Sequence, residues 1–364
     1  MYRRRIIYHS VLAIISLVFV MACQEIYDPE LDPGRDNIPV IQGVIHNAGG
    51  SSNVQVNISQ PFGSRYKPSV MDAMVTIAGS DKEHYIFTHS NYGKYLPVHD
   101  NFSGTPGQKY ILKVEMNNGE VYESYPTVIP SPPIFDSLFA EIGSKDIILH
   151  NVYGDLMIKE VQGLQVFMNI ESDADSLQYY RVTTTTITLY KFYWYKSEIE
   201  TVPVYIWNIS DYMSIPNLAT TTEFGNRQIV KKKKAGFLEY HFDPSTATDT
   251  SSSINPMGWI TIHKCYSIDK ATYQYYEAVN EQLSAGDRIF DPIPSEVEGN
   301  IHCTSDPDKK VFGIFEASSV NEVTNGFFWT TGKKSFQQKI LDECTPPASS
   351  GRSIGIKPDF WVDF

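Results

Sequence analysis

The chain has 364 residues, with 30 basic and 42 acidic side chains, and its formal net charge is −12 at pH 7. An acidic surface of this kind repels phosphate backbones, so we do not expect nucleic acid as a partner. The 23 tyrosines and 19 phenylalanines, together with few long Ala, Leu, Glu or Lys stretches, favour β-structure over helix. The length is enough for two domains with cores of their own.

The chain begins with the features of a lipoprotein signal. Arginines at positions 3–5 precede an almost wholly apolar run at 11–21, which ends at Ala22 and Cys23. A basic start, an apolar core and a small residue form a secretory signal, and a cysteine after the small residue is the lipoprotein pattern. We therefore predict a signal peptide over residues 1–22 and lipidation of Cys23. Cleavage removes three arginines and no acid, which takes the net charge from −12 to −15.

The alternative interpretation is a single membrane-spanning helix with an incidental cysteine. A spanning helix needs about 20 apolar residues, and Tyr8, His9 and Ser10 interrupt this run. Several acyl chains on one cysteine give stable attachment, since each buried methylene contributes about 0.8 kcal/mol. The signal interpretation places the mature chain outside the cytoplasm and attaches it to a membrane by lipid.

Residues 23–37 contain prolines, a glycine and acids without an apolar period, which is typical of a flexible tether behind the acylated cysteine. The early acids Glu25, Asp28 and Glu30 allow two interpretations. They are either the solvated part of a linker, or an acidic signal that exports a lipoprotein to the outer face of the outer membrane.

Residues 38–130 show short apolar segments separated by turns. Val54, Val56 and Ile58 alternate with polar residues, and the same period recurs further along the chain. Strands at this spacing predict an Ig-like antiparallel β-sandwich. Prolines at 126, 130, 132 and 133 interrupt the pattern, so we place a domain boundary at residue 130.

Residues 131–364 predict a second β-rich domain. The segments 166–170 and 179–207 are rich in β-branched and aromatic residues and predict long strands. Residues 208–257 are polar, and we expect loops there, including the lysine run at 231–234.

A helix is predicted near 269–285 within this second domain. Asp269 is a suitable N-cap, apolar residues such as Tyr276 and Val279 recur at helical spacing, and Gly286 follows. The fold class expected for the chain is therefore mainly β, with one or two short helices.

The sequence contains no Gly-x-Ser-x-Gly elbow, phosphate-binding glycine loop, His-Glu-x-x-His or Cys-x-x-Cys. We therefore expect a protein that is not an enzyme and has no cofactor. His263 and Cys265 are weak candidates for metal ligation, whereas adjacent His302 and Cys303 would point to opposite faces of a strand. An oxidising compartment favours a disulfide among Cys265, Cys303 and Cys344, with the pairing left open.

The predicted strand segment 179–207 contains an aromatic run at 190–195. Tyr193, Trp194 and Tyr195 are candidates for stacking against a sugar or peptide, because flat rings supply contact area at low entropic cost. The alternative is an ordinary sheet with one aromatic face in the core, since a period of two buries every second ring.

The chain contains a series of short motifs, each occurring once and in a fixed order. They are the Ala22-Cys23 cleavage pair, PVIQGVI at 39–45, MDAMVTI at 71–77, GKYL at 93–96, GQKYILKV at 107–114, YES at 122–124, GNI at 299–301, VFGIFEAS at 311–318 and KPDFW at 357–361. In this order they resemble a family of Bacteroidota outer-membrane lipoproteins known as domain of unknown function 4249.

This resemblance implies a lipid-anchored protein of the outer membrane, exposed at the cell surface, that is an accessory subunit of a TonB-dependent transporter. Such a subunit helps to capture or admit the substrate of its barrel partner. A structural or adhesive surface lipoprotein that binds glycan is the alternative. The resemblance implies no catalytic residues. Members often carry a second cysteine soon after the position of Cys344, and here Pro346 and Pro347 follow instead, so Cys344 pairs with Cys265 or Cys303 or stays free.

Overall fold

A computed structural model describes most of the chain from Asn37 to Trp361 and shows a mainly β fold with one α-helix among the described residues. The predicted fold class is confirmed. The signal peptide, Cys23 and residues 24–36 of the tether lie outside the described part. No helix in that part is both long and apolar enough to cross a bilayer. The described residues are 37–49, 52–60, 68–80, 83–99, 102–150, 154–172, 176–195, 201–212, 216–224, 227–239, 256–285, 296–329, 336–341 and 345–361.

Short antiparallel strands form the N-terminal part of the fold. They are β1 (Pro39–His46), β2 (Asn53–Ile58), β3 (Met74–Gly79), β4 (His84–Asn91), β5 (Lys94–Pro97), β6 (Lys109–Glu115), β7 (Val121–Ser124) and β8 (Thr127–Val128). Side chains from most of them meet in one cluster that includes Ile41, Val75 and Leu112, each at most 1% exposed. The alternation read from the sequence therefore corresponds to strands with one buried face.

Longer strands follow, with a single helix among the described residues. They are β9 (Ile134–His150), β10 (Leu156–Ser172), β11 (Tyr179–Tyr195), β12 (Thr201–Asp211), β13 (Asn217–Thr220), β14 (Thr222–Phe224), β15 (Arg227–Glu239), β16 (Pro256–Ile268), α1 (Lys270–Ala285), β17 (Ile301–Cys303), β18 (Phe312–Trp329), β19 (Phe336–Ile340) and β20 (Gly351–Ile354). Strands β14, β15, β10 and β9 form a small sheet in that order. The remaining strands lie on one large sheet.

Strand β18 lies inside the large sheet, between β1 and β16. Its first residues pair in parallel with β1, from Val40 opposite Phe312 to His46 opposite Ser318. Its later residues pair antiparallel with β16, from Ser319 onward. Phe315 and Ala317 therefore enter the N-terminal core, as does Ile301 of β17. The predicted boundary at residue 130 stays a prediction, and the N-terminal core includes side chains from beyond residue 300.

The small sheet packs on one face of the large sheet. Leu164, Val166 and Met168 of β10 meet Val182 of β11 and Cys265 of β16 in a second core. The opposite face of the large sheet holds a third cluster, which includes Ile260, Phe328 and Trp361 of the aromatic C-terminus. Side chains along β11 and β16 therefore alternate between the face covered by the small sheet and the face of the third cluster.

The lysine run is a strand rather than the predicted loop. Residues 231–234 lie inside β15, and the pairing of β15 with β10 shifts register on both sides of Phe167 and Met168. Lys232 has a positive φ of 50° and places its ammonium group 4.8 Å from the ring centroid of Phe167. Irregular pairing lets consecutive charged residues remain in a strand, because their heads reach solvent or a polar partner.

The predicted helix is confirmed, with α1 running over Lys270–Ala285. The carboxylate of Asp269 accepts a hydrogen bond from the Thr272 amide at 2.7 Å, as expected for an N-cap. Gly286 lies outside the described residues.

Candidate functional site

A cavity of about 260 Å³ opens between the small sheet and the large sheet. We call it the inter-sheet cleft. Its lining comes from β9, β11, β12, β15 and β16. Residues with hydroxyl or amide groups form one part of the lining, namely Thr186, Thr188, Asn208 and Ser210. Aromatic residues form another part, namely Tyr190, Tyr212, Phe237 and Trp259.

Strand register explains why these polar groups converge. Thr186 and Thr188 are two apart on β11 and so share a face of the sheet. Ser210 lies directly opposite Thr186, and Asn208 lies opposite Thr188, on the neighbouring strand β12. Residues that face each other across an antiparallel pair project to the same side, so all four project toward the cleft.

A row of polar residues runs from the cleft into the interior. Thr186 pairs with Ser210 on one side and with Thr261 on the other, and Thr261 pairs with Asn325 of β18. The row crosses four strands, a distance of about 14 Å at ordinary strand spacing. Ser210 is exposed, whereas Thr261 and Asn325 are completely buried. Neither the carbonyl nor the amino group of the Asn325 side chain has a hydrogen-bond partner among the described residues.

Charged residues line the cleft with both signs. Lys145, Asp211 and Glu239 all contribute to the lining. The Lys145 ammonium lies 5.7 Å from the ring centroid of Tyr212, and Thr185 donates a hydrogen bond to Asp211 at 2.8 Å. Burial, and then the charge of Glu239, raises the pKa of Tyr190. The cleft therefore has no strong field of one sign.

His263 and Cys265, the weak metal candidates, lie beside the polar row but not in a metal site. Thr184 and Thr261 each place a hydroxyl within 2.9 Å of a different ring nitrogen of His263. Burial lowers the pKa of His263 to about 3 and raises the pKa of the Cys265 thiol. Over the described ranges, no group of three or more His, Cys, Asp or Glu residues could hold a metal ion.

A second polar cluster, the junction network, lies where β1, β11, β18 and α1 meet. Arg181 forms two hydrogen bonds to the carboxylate of Glu316, at 2.7 and 3.2 Å. Tyr276 and Ser318 donate to the same carboxylate at 2.7 and 2.8 Å. The ring of His46 is 2.9 Å from the Ser318 hydroxyl through Nδ1. Because Ser318 donates its proton to Glu316, Nδ1 of His46 donates to Ser318.

The electrostatics of the junction network follow from its burial. Burial raises the pKa of Glu316, but the charge and hydrogen bonds of Arg181 outweigh this effect and hold that pKa below its usual value. Burial lowers the pKa of His46 to about 4, although the charge of Glu316 opposes the change. The partners of the carboxylate lie on β11, α1 and β18. This arrangement joins structural elements, and we assign it a structural role.

The end of the hairpin formed by β9 and β10 exposes apolar side chains. We call Ile148, Leu149, Leu156, Met157 and Ile158 the hairpin tip. Their exposed fractions are 68%, 38%, 68%, 48% and 74%. Among the described residues, β15 pairs with β10 only from Gly163 onward, so no third described strand pairs with the two strands of the tip.

Among the three predicted stacking residues, Tyr193 is the one whose side chain lies in the described part of the structure, and it is 57% exposed. The ammonium group of Lys191 lies 5.3 Å from its ring centroid. Trp194 and Tyr195 belong to β11, but their side chains lie outside the described part. Neither the inter-sheet cleft nor the hairpin tip was predicted from the sequence. The alternating threonines 184, 186 and 188 were a visible signal for the cleft, since buried strand faces are rarely hydroxylated.

The predicted disulfide is not formed between the two described cysteines. Cys265 is a free thiol in the second core, and Cys303 is a free thiol in the N-terminal core. Cys344 lies outside the described residues, so a pairing that involves it stays a prediction.

A family model described as Domain of unknown function (DUF4249) matches residues 24–324. No curated protein matches the chain, and no solved structure matches it. The matched region contains the cleft, the hairpin tip and the junction network, and it ends inside β18. The family inferred from the motif order is confirmed. The lipid anchor, the outer-membrane location and the transporter partner stay predictions.

Proposed function

We propose that this chain, which belongs to the DUF4249 family, is a non-enzymatic lipoprotein of the outer membrane, exposed at the cell surface. In this proposal it acts as an accessory subunit that docks on a TonB-dependent barrel and helps to capture or admit the substrate. The observation that carries the proposal is the apolar hairpin tip. The motif order along the chain supports the choice of partner.

The hairpin tip is apolar on both of its faces. Ile148 lies opposite Ile158 on one face, and Leu149 lies opposite Met157 on the other. A contiguous exposed apolar surface of this kind is typical of a site that binds another protein or a membrane. A flat partner would cover only one face. A partner with a crevice, such as the mouth of a barrel with its loops, covers both.

The backbone of the hairpin supports the same conclusion. Among the described strands, β9 is at the edge of the small sheet and pairs only with β10. An edge strand offers unpaired N–H and C=O groups that can accept a further strand from a partner. An extracellular loop of a barrel can supply such a strand.

Site-specific photo-crosslinking tests the proposal directly. A photoreactive residue at Ile158 should give an adduct with a barrel protein in intact cells, and the same residue at Ile86 should not. Ile86 is a matched control because it is a strand isoleucine with a similar exposed fraction, 57%, in the N-terminal part. Adducts from both positions, or from neither, would contradict docking through the tip.

Glycan binding as an adhesive surface protein is the second candidate, and the exposure of Tyr193 beside Lys191 favours it. An exposed ring of this kind can stack on a sugar. If it does, the protein should bind a glycan array without any transporter present, and Tyr193→Ala should abolish the signal. Binding that survives this substitution would remove the Tyr193 site from consideration.

A further inference from the structure

We infer that the inter-sheet cleft binds a small, uncharged, polyhydroxylated molecule of the monosaccharide class. The inference deepens the proposed function, on which its biological meaning rests, because it names the class of molecule that the subunit captures. It concerns a different surface from the hairpin tip and a different one from Tyr193.

Buried hydroxyl and amide groups supply the first argument. Thr186 and Thr188 are 8% and 9% exposed, and they line the cleft on a strand face that would ordinarily be apolar. Two strands further along the same polar row, the side chain of the completely buried Asn325 has no hydrogen-bond partner among the described residues, although it does not itself line the cleft. An unpaired buried amide is costly and requires an explanation, and a bound polar molecule in or near the row is one. A ligand with several hydroxyls can both donate to and accept from this wall.

The charge distribution supplies the second argument. The buried part of the cleft lining, Thr186 and Thr188, carries no ionisable group, and His263 near it is neutral at physiological pH because burial lowers its pKa to about 3. The charged lining residues are exposed Lys145, exposed Asp211 and half-buried Glu239, so both signs are present. A charged ligand would lose its hydration against the two threonines and would meet charges of both signs around them, which disfavours it relative to a neutral ligand.

The aromatic lining and the size supply the third argument. Tyr190 and Phe237, which are half-buried, provide some apolar ring surface next to the hydroxyl groups. Small-molecule sites combine such faces with a few placed polar groups, and they occupy about 300–1,000 Å³. The cleft has a volume of about 260 Å³, slightly below that range of site volumes, so it fits a ligand smaller than the usual ones. The apolar C–H face and polar edge of a single sugar ring match these features.

The test measures binding of glucose, galactose and mannose to the purified mature protein by calorimetry and saturation-transfer NMR, with glucuronate as the charged counterpart. We expect saturable binding of at least one neutral sugar, weaker binding of glucuronate, and a loss of about fivefold in affinity for each of Thr186→Val and Thr188→Val. Thr183→Val is the matched control, because Thr183 is an exposed threonine on the opposite face of the same strand.

Three results would overturn the inference: no binding of any of the three neutral sugars, binding of glucuronate at least as tight, or unchanged affinity in both cleft variants. The measurement uses no transporter, so it is independent of the crosslinking experiment. A barrel adduct at Ile158 without sugar binding would reject the ligand and keep the docking role. Sugar binding without an adduct would do the reverse.

Discussion

Arg181 and Glu316 form a two-point ion pair in the interior, with Nη2 of Arg181 2.7 Å from Oε1 and Nε 3.2 Å from Oε2 of the carboxylate. The side chain of Glu316 is completely buried, and that of Arg181 is 15% exposed. The guanidinium also lies 4.0 Å from the ring centroid of Tyr266. The pair joins β11 to β18, the strand that completes the N-terminal core, and it therefore holds the two parts of the fold together.

Removal of the arginine should destabilise the protein strongly. Arg181→Met leaves the Glu316 carboxylate buried without its counter-charge, which typically costs about 3–5 kcal/mol in the free energy of unfolding. Urea unfolding followed by tryptophan fluorescence measures this change. The double variant Arg181→Met, Glu316→Gln should recover part of the loss, because no unpaired charge remains.

The exposed pair Lys264–Glu322 is the control for this prediction. Its atoms are 3.3 Å apart, with side chains 42% and 47% exposed. Lys264→Met should change the free energy of unfolding by at most about 1 kcal/mol, since solvent screens exposed pairs. Equal effects of Arg181→Met and Lys264→Met would mean that burial adds nothing to the Arg181–Glu316 pair.

Acidification should destabilise the fold through two buried histidines. Burial lowers the pKa of His46 to about 4 and that of His263 to about 3, both from 6.5. Below pH 6.5 the unfolded chain binds protons that the folded chain does not, so stability is lost as the pH falls. The loss from His46 continues until its folded pKa near 4. Two such groups give a slope of about 3 kcal/mol per pH unit.

Urea midpoints between pH 7.5 and 5 measure this slope. That range stays above the region where protonation of Glu316, whose pKa is held low by Arg181, would add its own loss. His46→Gln should reduce the slope by about half, because one of the two histidines no longer takes up a proton on unfolding. A slope that stays the same in His46→Gln would show that His46 is not held neutral in the folded state.

Local sequence patterns predicted those strands and helix ends that depend only on neighbouring residues. The alternation of Val54, Val56 and Ile58 predicts β2, because a strand with one buried face has a period of two. Asp269 predicts the start of α1, because its carboxylate caps an amide three residues away. Neither inference requires knowledge of the rest of the chain.

Long-range pairing was beyond local patterns. Nothing around Arg181 indicates that its partner lies 135 residues later, and nothing around Ile41 indicates a parallel neighbour at Gly313. The lysines at 231–234 have low strand propensity, and the register shifts that place them in β15 come from the pairing with β10. The cleft and the hairpin tip depend on the same kind of pairing, so local sequence patterns did not predict them.

The two described thiols should be inert in the folded protein. Cys265 is completely buried and Cys303 is 2% exposed, and burial raises the pKa of Cys265, so little thiolate forms. Peptide-resolved labelling with iodoacetamide should modify each of them at least about 100-fold more slowly in buffer than in guanidinium. Rapid labelling of either cysteine in buffer, or a peptide that contains both in a disulfide, would contradict the described packing.

The parallel contact between β1 and β18 should be intolerant of any side chain at Gly313. This glycine has a φ of 108°, and a Cβ atom there would collide with the backbone carbonyl of Ile41. Gly313→Ala should therefore lower the free energy of unfolding by at least about 3 kcal/mol, because a backbone clash is added to an unfavourable φ.

Gly119 separates the two effects, since its φ is 89° and no atom lies within 4 Å of its Cβ position. Gly119→Ala should cost only about 1–2 kcal/mol, the backbone part alone. Urea unfolding of both variants checks the difference, and equal losses would show that β1 and β18 are not in close contact at this position.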